Sequence, residues 1–323
     1  MSLLTRIPRA IYDRNPHVFD GFEATGDWRR GTALGMAWLS QLAYEADNPQ
    51  KVGEVLLRWD LSLVGDVIAS RDRVGLAMAA TDAFVAEGRG ANMVAFAGTD
   101  PLLPANWATN LDILKAANGC ARGFFDAAAI ALGAVRDRLS MASRGLPLFL
   151  AGHSLGGALA VITALALVES GVAVEAVFTF GMPRPGNAAF AARYETALGA
   201  RTYRMVYADD LVPTVAPSGI GFRHVGRLVR CRRGECFPDA LPAMETASDE
   251  PLFTNGVRQD WVDVIHALAH PFGALAQQLG PAARIILGTA PEATRTDAIG
   301  ALIALLPPRM RDHIPDRYCA ALT

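Results

Sequence analysis

The segment that most constrains the fold is residues 145–168, which contain no Asp, Glu, Lys or Arg. It is long enough to cross a bilayer as a helix. Its centre, however, carries Gly152, His153 and Ser154, and such a centre is costly to place in hydrocarbon. A buried strand, a tight turn and a buried helix account for the same run without that cost. The segment therefore predicts the centre of a covered, parallel sheet.

Strand and helix patterns alternate along the rest of the chain. Apolar runs predict strands at 93–97, 147–152, 174–180 and 202–207, followed by a hairpin at 222–237. Apolar residues at helical spacing predict helices at 34–44, 52–59, 124–139 and 155–169. This alternation predicts the α/β class, with a doubly wound, mostly parallel central sheet that has helices on both faces.

We expect the 323 residues to form a single α/β domain with two appendages. We expect residues 1–30 to form an irregular N-terminal arm on the surface. We expect residues 238–308 to form a helical insertion, because apolar residues recur at helical spacing at 261–279 and 299–306. These helices either cover one face of the sheet, or form a cap over an active site or a contact with a lipid surface.

Composition and charge exclude several classes of function. The net charge is −2 and the basic residues are not clustered, so the chain lacks the electrostatic field of a nucleic-acid binder. Four cysteines are too few for a disulfide scaffold, and Cys231 and Cys236, which flank a short turn, are either two thiols or one disulfide. The first residues lack the apolar core of a signal peptide, which makes the cytoplasm the default location, with leaderless secretion as the alternative.

The string Gly152-His153-Ser154-Leu155-Gly156 is a G-x-S-x-G sequence between a predicted strand and a predicted helix. In this context it is typical of a nucleophile elbow, where the serine lies on a sharp turn above the carboxyl end of the sheet. The following helix directs backbone N–H groups and its positive end toward a developing oxyanion. The motif predicts a nucleophilic serine, and a glycine-rich turn that only tightens packing is the alternative.

Further motifs occur in a fixed order around the elbow. They are AFAGTD at 95–100, GHSLGGALA at 152–160, FTFGMPRPGN at 178–187, DLVP at 210–213, FRHVG at 222–226 and RDHIPDRY at 311–318. As an ordered set they resemble the motifs of the class 3 lipase family, the fungal-lipase-like branch of the α/β-hydrolases. The resemblance covers about residues 30–235 and the closing motif. It implies an α/β-hydrolase fold and no metal or organic cofactor.

The resemblance also implies roles for single residues. Ser154 corresponds to the nucleophile, and Asp210 to the acid that orients the histidine, with Asp209 as the rival carboxylate. The backbone N–H groups of Thr99 and Leu155 correspond to the oxyanion hole.

Two positions depart from the family pattern. Ala97 replaces an arginine before the oxyanion glycine, and Ala121 replaces a histidine, both at positions that we interpret as scaffold. Residues 102–114 stand where family members carry a lid helix. Trp107 in that stretch is either the apolar anchor of a lid or ordinary packing.

The base is predicted from chain order, which in this fold runs serine, acid, histidine. This order excludes the two histidines that precede the elbow serine. His266 and His270 lie on or beside an apolar helical stripe, where packed histidines are common. His313 lies in a motif that resembles the family's closing D-H-x-x-Y loop, so we expect it to be the base, with His224 as the runner-up.

These expectations describe a serine-dependent hydrolase of carboxylic esters, with lipid esters such as acylglycerols as substrates and an acyl-enzyme intermediate. A phospholipase or an acyltransferase would use the same triad, and a lipid-binding protein without catalysis is the third alternative. We expect medium or long acyl chains to be preferred over acetyl esters, because each methylene buried in an apolar channel contributes about 0.8 kcal/mol.

Overall fold

The structure, a computed structural model, describes residues 5–74, 77–98, 116–216, 218, 221–241 and 308–323. The helices are α1 (Arg9–Asp13), α2 (Arg30–Leu42), α3 (Pro49–Arg58), α4 (Arg122–Met141), α5 (Leu155–Glu169), α6 (Ala188–Leu198), α7 (Pro308–Arg311) and α8 (Pro315–Leu322). A 3₁₀ turn, Ala43–Glu45, continues α2. The strands are β1 (Leu61–Leu63), β2 (Ile68–Val74), β3 (Ala77–Gly88), β4 (Ala91–Phe96), β5 (Ala116–Ala117), β6 (Cys120–Ala121), β7 (Leu148–His153), β8 (Ala176–Phe180), β9 (Gly186–Asn187), β10 (Thr202–Tyr207), β11 (Phe222–Arg223) and β12 (Arg227–Cys231).

The strands of the described ranges form one large mixed sheet and one small sheet. In the large sheet the order is β1-β3-β4-β7-β8-β10-β12, and β2 pairs with the first half of β3. The strands from β4 to β12 in this order are parallel, whereas β1, β2 and β3 join through antiparallel pairs. The carboxyl ends of the parallel strands therefore lie at one edge, where the loops that follow them can assemble a site.

The parallel strands are apolar along their length because helices cover both faces of the sheet. Every residue of β4, β7, β8 and β10 is buried. On one face, α2, α3 and α8 pack around Trp38, Trp59 and Tyr318. On the other face, α4, α5 and α6 pack around Phe124, Leu159 and neighbouring apolar side chains. The core is thus two layers of side chains, one on each side of the sheet.

The uncharged run at 145–168 forms β7, a turn at Ser154 and α5. Helix α5 is buried along nearly its whole length and packs on α4 and on the central strands, which explains why it is apolar all round. Within the part of the chain that the structure describes, no helix has both the length and the apolar character needed to cross a membrane.

The outer parts of the fold differ from the sequence expectation. The hairpin predicted at 222–237 is wrong, because β11 pairs with β9 in the small sheet and β12 extends the large sheet parallel to β10. Residues 5–30 are not confined to the surface, since Tyr12 and Phe19 are completely buried in the core. The helical insertion predicted at 238–308 lies outside the described residues from 242 to 307.

Candidate active site

Ser154 lies in a sharp turn between β7 and α5, at the carboxyl edge of the sheet. Its backbone has φ 56° and ψ −129°, a strained conformation that persists only where the surroundings hold it. A Cβ on Gly152 would overlap the backbone of Gly156, and a Cβ on Gly156 would lie 2.7 Å from the carbonyl group of Ala97. The two glycines therefore let strand β7, helix α5 and the end of β4 meet closely around Ser154.

Asp210 and His313 form a buried hydrogen-bonded pair at the same edge. Asp210 follows β10, and its side chain is completely buried. Its Oδ2 lies 2.8 Å from Nδ1 of His313, and its Oδ1 accepts the backbone N–H of Val212 at 2.9 Å. An ionised carboxylate can only accept, so Nδ1 of His313 carries the proton. Nε2 then has the lone pair that a general base uses.

The phenol of Tyr318 is a second donor to the same carboxylate oxygen. Its hydroxyl donates to Oδ2 of Asp210 at 2.5 Å. Burial, and after it the negative charge of Asp210, raise the pKa of Tyr318 well above its ordinary value, so the phenol stays protonated at neutral pH. Sequence reasoning gave Tyr318 no role. The available signal was its place at the end of the RDHIPDRY string.

Gly181 has no side chain, and this leaves room for the Asp210–His313 pair. It follows β8 in the FTFGMPRPGN string and has a φ of 61°. A Cβ there would lie 2.6 Å from Oδ2 of Asp210 and 2.8 Å from Nδ1 of His313. Ser154 is tied to the same strand end, because its backbone N–H donates to the carbonyl of Phe180 at 2.8 Å. The end of β8 therefore holds both the serine turn and the acid–histidine pair.

His153, the residue before the serine, is buried between two hydrogen-bond partners. Its Nδ1 lies 2.7 Å from the hydroxyl oxygen of Tyr44, and its Nε2 lies 2.7 Å from the backbone carbonyl oxygen of His313. The two imidazole rings also contact each other, with centroids 4.6 Å apart. Burial, and then the proximity of His313, lower the pKa of His153 well below its ordinary value, so this ring is neutral.

The structure describes one of the two predicted donors of the oxyanion hole, the backbone N–H of Leu155. Leu155 is the first residue of α5, and N–H groups of a first helical turn have no acceptor within their helix. The loop after β4 approaches the serine turn, because a Cβ on Gly98 would lie 2.7 Å from the Cβ of Ser154. Thr99, which the resemblance assigns to the other side, and the predicted lid at 102–114 with its tryptophan lie outside the described residues.

The alternative candidates for the acid and for the base lie in different surroundings from Asp210 and His313. The side chain of Asp209 is 54% exposed, whereas its neighbour Asp210 is the one that contacts His313. His224 is buried, and burial, followed by the charges of two buried arginines, lowers the pKa of its ring well below the ordinary value. The two histidines predicted to lie on the helical insertion are outside the described residues.

A salt bridge fixes the residue before the histidine. Arg233 lies in the turn between Cys231 and Cys236, which are two free thiols. Its guanidinium donates to both carboxylate oxygens of Asp312, from Nε at 3.2 Å and from Nη2 at 2.5 Å. Asp312 is almost completely buried, although the arginine is half exposed. This contact ties the turn after β12 to the loop that carries His313.

A family model described as lipase (class 3) matches residues 93–219. Over these residues the chain is similar to the class 3 lipase family. The matched residues contain Ser154, Leu155 and Asp210, whereas His313 lies beyond them.

Two relatives and a solved structure are similar to parts of this chain. A secreted mono- and diacylglycerol lipase of Fusarium solani is 30% identical over 171 residues, 50% of this chain and 49% of the relative. One of Malassezia restricta is 43% identical over 76 residues, 23% of this chain and 25% of the relative. The chain thus spans half or less of the length of these relatives. Lipase II from Rhizopus niveus, 20% identical, matches with a TM-score of 0.52 over 67% of this chain and 85% of that one, which confirms the predicted α/β-hydrolase fold.

The same comparison corrects the expected location. The cytoplasmic expectation is wrong, because these relatives are named as secreted lipases. The expectation depended on a missing apolar stretch in the first residues. Such an absence carries no physical information about the compartment in which the folded chain works.

Proposed function

We propose that this chain is a serine hydrolase that cleaves carboxylic esters, with lipid esters such as acylglycerols as its substrates. The observation that carries the proposal is a strained serine at the carboxyl edge of the sheet, with the buried Asp210–His313 pair at the same edge. The names of the relatives, which are mono- and diacylglycerol lipases, support the substrate class.

In this mechanism Ser154 is the nucleophile and His313 is its base. Nε2 of His313 takes the hydroxyl proton as the serine oxygen attacks the ester carbonyl carbon, and Asp210 stabilises the imidazolium that forms. The imidazolium then protonates the leaving alcohol as the ester C–O bond breaks, which leaves an acyl-enzyme. Water enters, loses a proton to His313 and releases the carboxylic acid, and the same proton returns to Ser154.

The oxyanion develops beside the amino end of α5. The backbone N–H of Leu155 donates to it, and the positive end of the helix dipole adds a favourable field. The backbone N–H of Thr99, at the end of the loop that passes Gly98, is the second proposed donor. Leu155 is fixed at the start of α5 before the substrate arrives, so its contribution to stabilising the oxyanion requires little reorganisation.

We propose that the chain is one hydrolase domain. Residues 238–308 are then an insertion that lines or caps an apolar acyl channel. The apolar stripes at 261–279 and 299–306 support this role. Burial of each methylene of the acyl chain in an apolar channel contributes about 0.8 kcal/mol of binding free energy, which favours medium or long chains.

Hydrolysis of p-nitrophenyl esters of increasing acyl length, with Ser154→Ala alongside, tests the proposal. We expect rates to rise from acetyl to medium or long chains, and turnover to fall by about 10⁴-fold or more in Ser154→Ala. Labelling by a fluorophosphonate should disappear in the same variant.

Retained turnover or persistent labelling in Ser154→Ala would contradict the proposed nucleophile. A preference for acetyl esters would instead indicate an esterase of small soluble esters. Product analysis with an added alcohol acceptor, and with phosphatidylcholine as substrate, separates acyl transfer and phospholipid deacylation from acylglycerol hydrolysis.

A further inference from the structure

His153 is a buried elbow residue that the proposed mechanism leaves unused, and both of its ring nitrogens have partners. A carbonyl oxygen can only accept, so Nε2 of His153 carries the proton and donates to the backbone carbonyl of His313 at 2.7 Å. Nδ1 then has only a lone pair, so the hydroxyl of Tyr44 donates to it at 2.7 Å. The chemistry of the two partners therefore fixes the tautomer of the ring and the direction of both bonds.

We propose that His153, held by Tyr44, is a positioning residue that sets the backbone and the ring of His313. The inference rests on the proposed function, because it concerns the base of that reaction. It gives the histidine of the GHSLG string a role in the geometry of the site rather than in proton transfer.

The need for such a residue follows from the contacts of His313. Asp210 holds its Nδ1 at 2.8 Å, and a bond at one ring atom does not by itself prevent the ring from turning about that bond and moving Nε2. The bond from His153 to the backbone carbonyl and the ring contact at 4.6 Å restrain that rotation. Misplacement by about 1 Å at a reacting group can cost about a hundredfold in rate, so this restraint matters for turnover.

Tyr44 anchors this arrangement to the helical layer under the sheet edge. It is 3% exposed and lies in the 3₁₀ turn after α2. A Cβ on Gly98 would lie 2.6 Å from its hydroxyl oxygen, so the phenol also contacts the loop that leads to the proposed oxyanion donor Thr99. One rigid side chain therefore sets the elbow histidine and limits where this loop can lie.

The surroundings of the two neighbouring histidine rings also decide which one takes the proton. Among the residues that the structure describes, the titratable side chains whose rings contact His153 are Tyr44, His313 and Tyr318, two phenols and an imidazole that bring it no negative charge at neutral pH. His313, by contrast, is paired with the carboxylate of Asp210. The proton from the serine therefore goes to His313, and His153 stays neutral beside it.

The matched variants His153→Gln and His153→Leu test the inference. Glutamine carries an amide N–H₂ that reaches about as far as Nε2 and can donate to the same carbonyl, whereas leucine fills similar space without a donor. kcat and KM are measured per active site, counted by fluorophosphonate titration, so that a loss of folded protein does not register as a loss of kcat.

We expect His153→Leu to lower kcat per site by about 10- to 100-fold with KM within about twofold, and His153→Gln to stay within about fivefold of the wild type. The acid limb of the kcat/KM profile should keep its midpoint in His153→Gln, because this variant leaves the Asp210–His313 pair intact.

Wild-type kcat per site in His153→Leu, or a glutamine variant that falls as far as the leucine variant, overturns the inference. If His153→Leu does not fold, Tyr44→Phe takes its place, since it keeps the ring and removes only the donor. A fall in kcat per site of about threefold or more then supports the inference, and an unchanged kcat overturns it. Failure of the proposed function is distinguishable, because the wild type itself would then neither hydrolyse esters nor label at Ser154.

Discussion

At the scale of single residues, the site is organised around one carboxylate oxygen. Oδ2 of Asp210 accepts from Nδ1 of His313 at 2.8 Å and from the hydroxyl of Tyr318 at 2.5 Å. The carboxylate is buried, so each donor replaces water that the oxygen has lost. The phenol therefore orients the carboxylate while the other lone pair remains available to the imidazole.

Removal of the phenol oxygen tests this arrangement. Tyr318→Phe keeps the ring and leaves the buried oxygen of Asp210 with one donor fewer, so we expect the free energy of unfolding to fall by about 1–3 kcal/mol. We expect kcat to fall by about tenfold with little change in KM, as for other residues that orient a reacting group. Urea denaturation and initial rates measure the two effects.

Tyr207→Phe is the matched control for Tyr318→Phe. The ring of Tyr207 contacts that of Tyr318, but its hydroxyl accepts the backbone N–H of Gly234 instead of binding the carboxylate. Equal losses of kcat in the two variants would show that ring packing, and not the bond to Asp210, explains the effect.

Some of these residues can be recognised in the sequence and others cannot. Ser154 and the glycines around it form a short string whose backbone geometry is local, so a pattern can encode it. Tyr318 and Tyr44 acquire their partners across 108 and 109 residues of chain. A tyrosine in a helical stretch looks like any core tyrosine until the fold brings its hydroxyl to a particular atom.

At the scale of elements, the loop that carries His313 is held from two directions. The elbow holds its backbone carbonyl through His153, and the turn after β12 holds the preceding residue through the Arg233–Asp312 pair. The first contact comes from the centre of the sheet and the second from its edge strand. The position of His313, the proposed base, therefore depends on both the middle and the edge of the sheet.

Loss of the Arg233–Asp312 salt bridge should loosen the loop that carries His313. Arg233→Met removes the guanidinium and leaves the nearly buried carboxylate of Asp312 without it, so we expect the free energy of unfolding to fall by about 1–2 kcal/mol, a modest value because Arg233 is half exposed. We also expect a severalfold lower kcat. Arg232→Met, at the exposed neighbouring position, is the control, and kcat and stability equal to those of this control would contradict the expectation.

The elements differ in how far the sequence predicts them. Helix α5 is predicted to the residue, because it begins directly after the elbow serine and ends at Glu169, the first charged residue after the uncharged run. β12 was expected to pair with its neighbour in sequence, but it pairs with β10. Strand pairing depends on partners elsewhere in the chain, so local alternation identifies a strand without identifying its neighbour.

At the scale of the whole molecule, two buried histidines make stability depend on pH. Burial lowers the pKa of His153 and of His224, so the native state keeps both rings neutral at pH values where the unfolded chain, with histidine pKa near about 6.5, takes up protons. The unfolded state binds more protons below that pH, and stability therefore falls as the pH falls.

Urea denaturation at pH 7, 6 and 5 measures this dependence. Each buried histidine contributes up to about 1.4 kcal/mol per pH unit below about pH 6.5. His224→Gln should reduce the slope, because it removes one of the two buried rings. A free energy of unfolding that stays constant or rises between pH 7 and pH 5 would contradict the expectation.

The bond between His153 and the carbonyl of His313 also has a consequence for the time course of folding. It joins positions 160 residues apart, and closure of so long a loop is entropically costly and late. β7, the serine turn and α5 are contiguous, so they can form well before the base reaches them. We therefore expect a refolding chain to regain its sheet and helix signal first and the proposed ester cleavage last, so that the recovery of activity reports the final docking step.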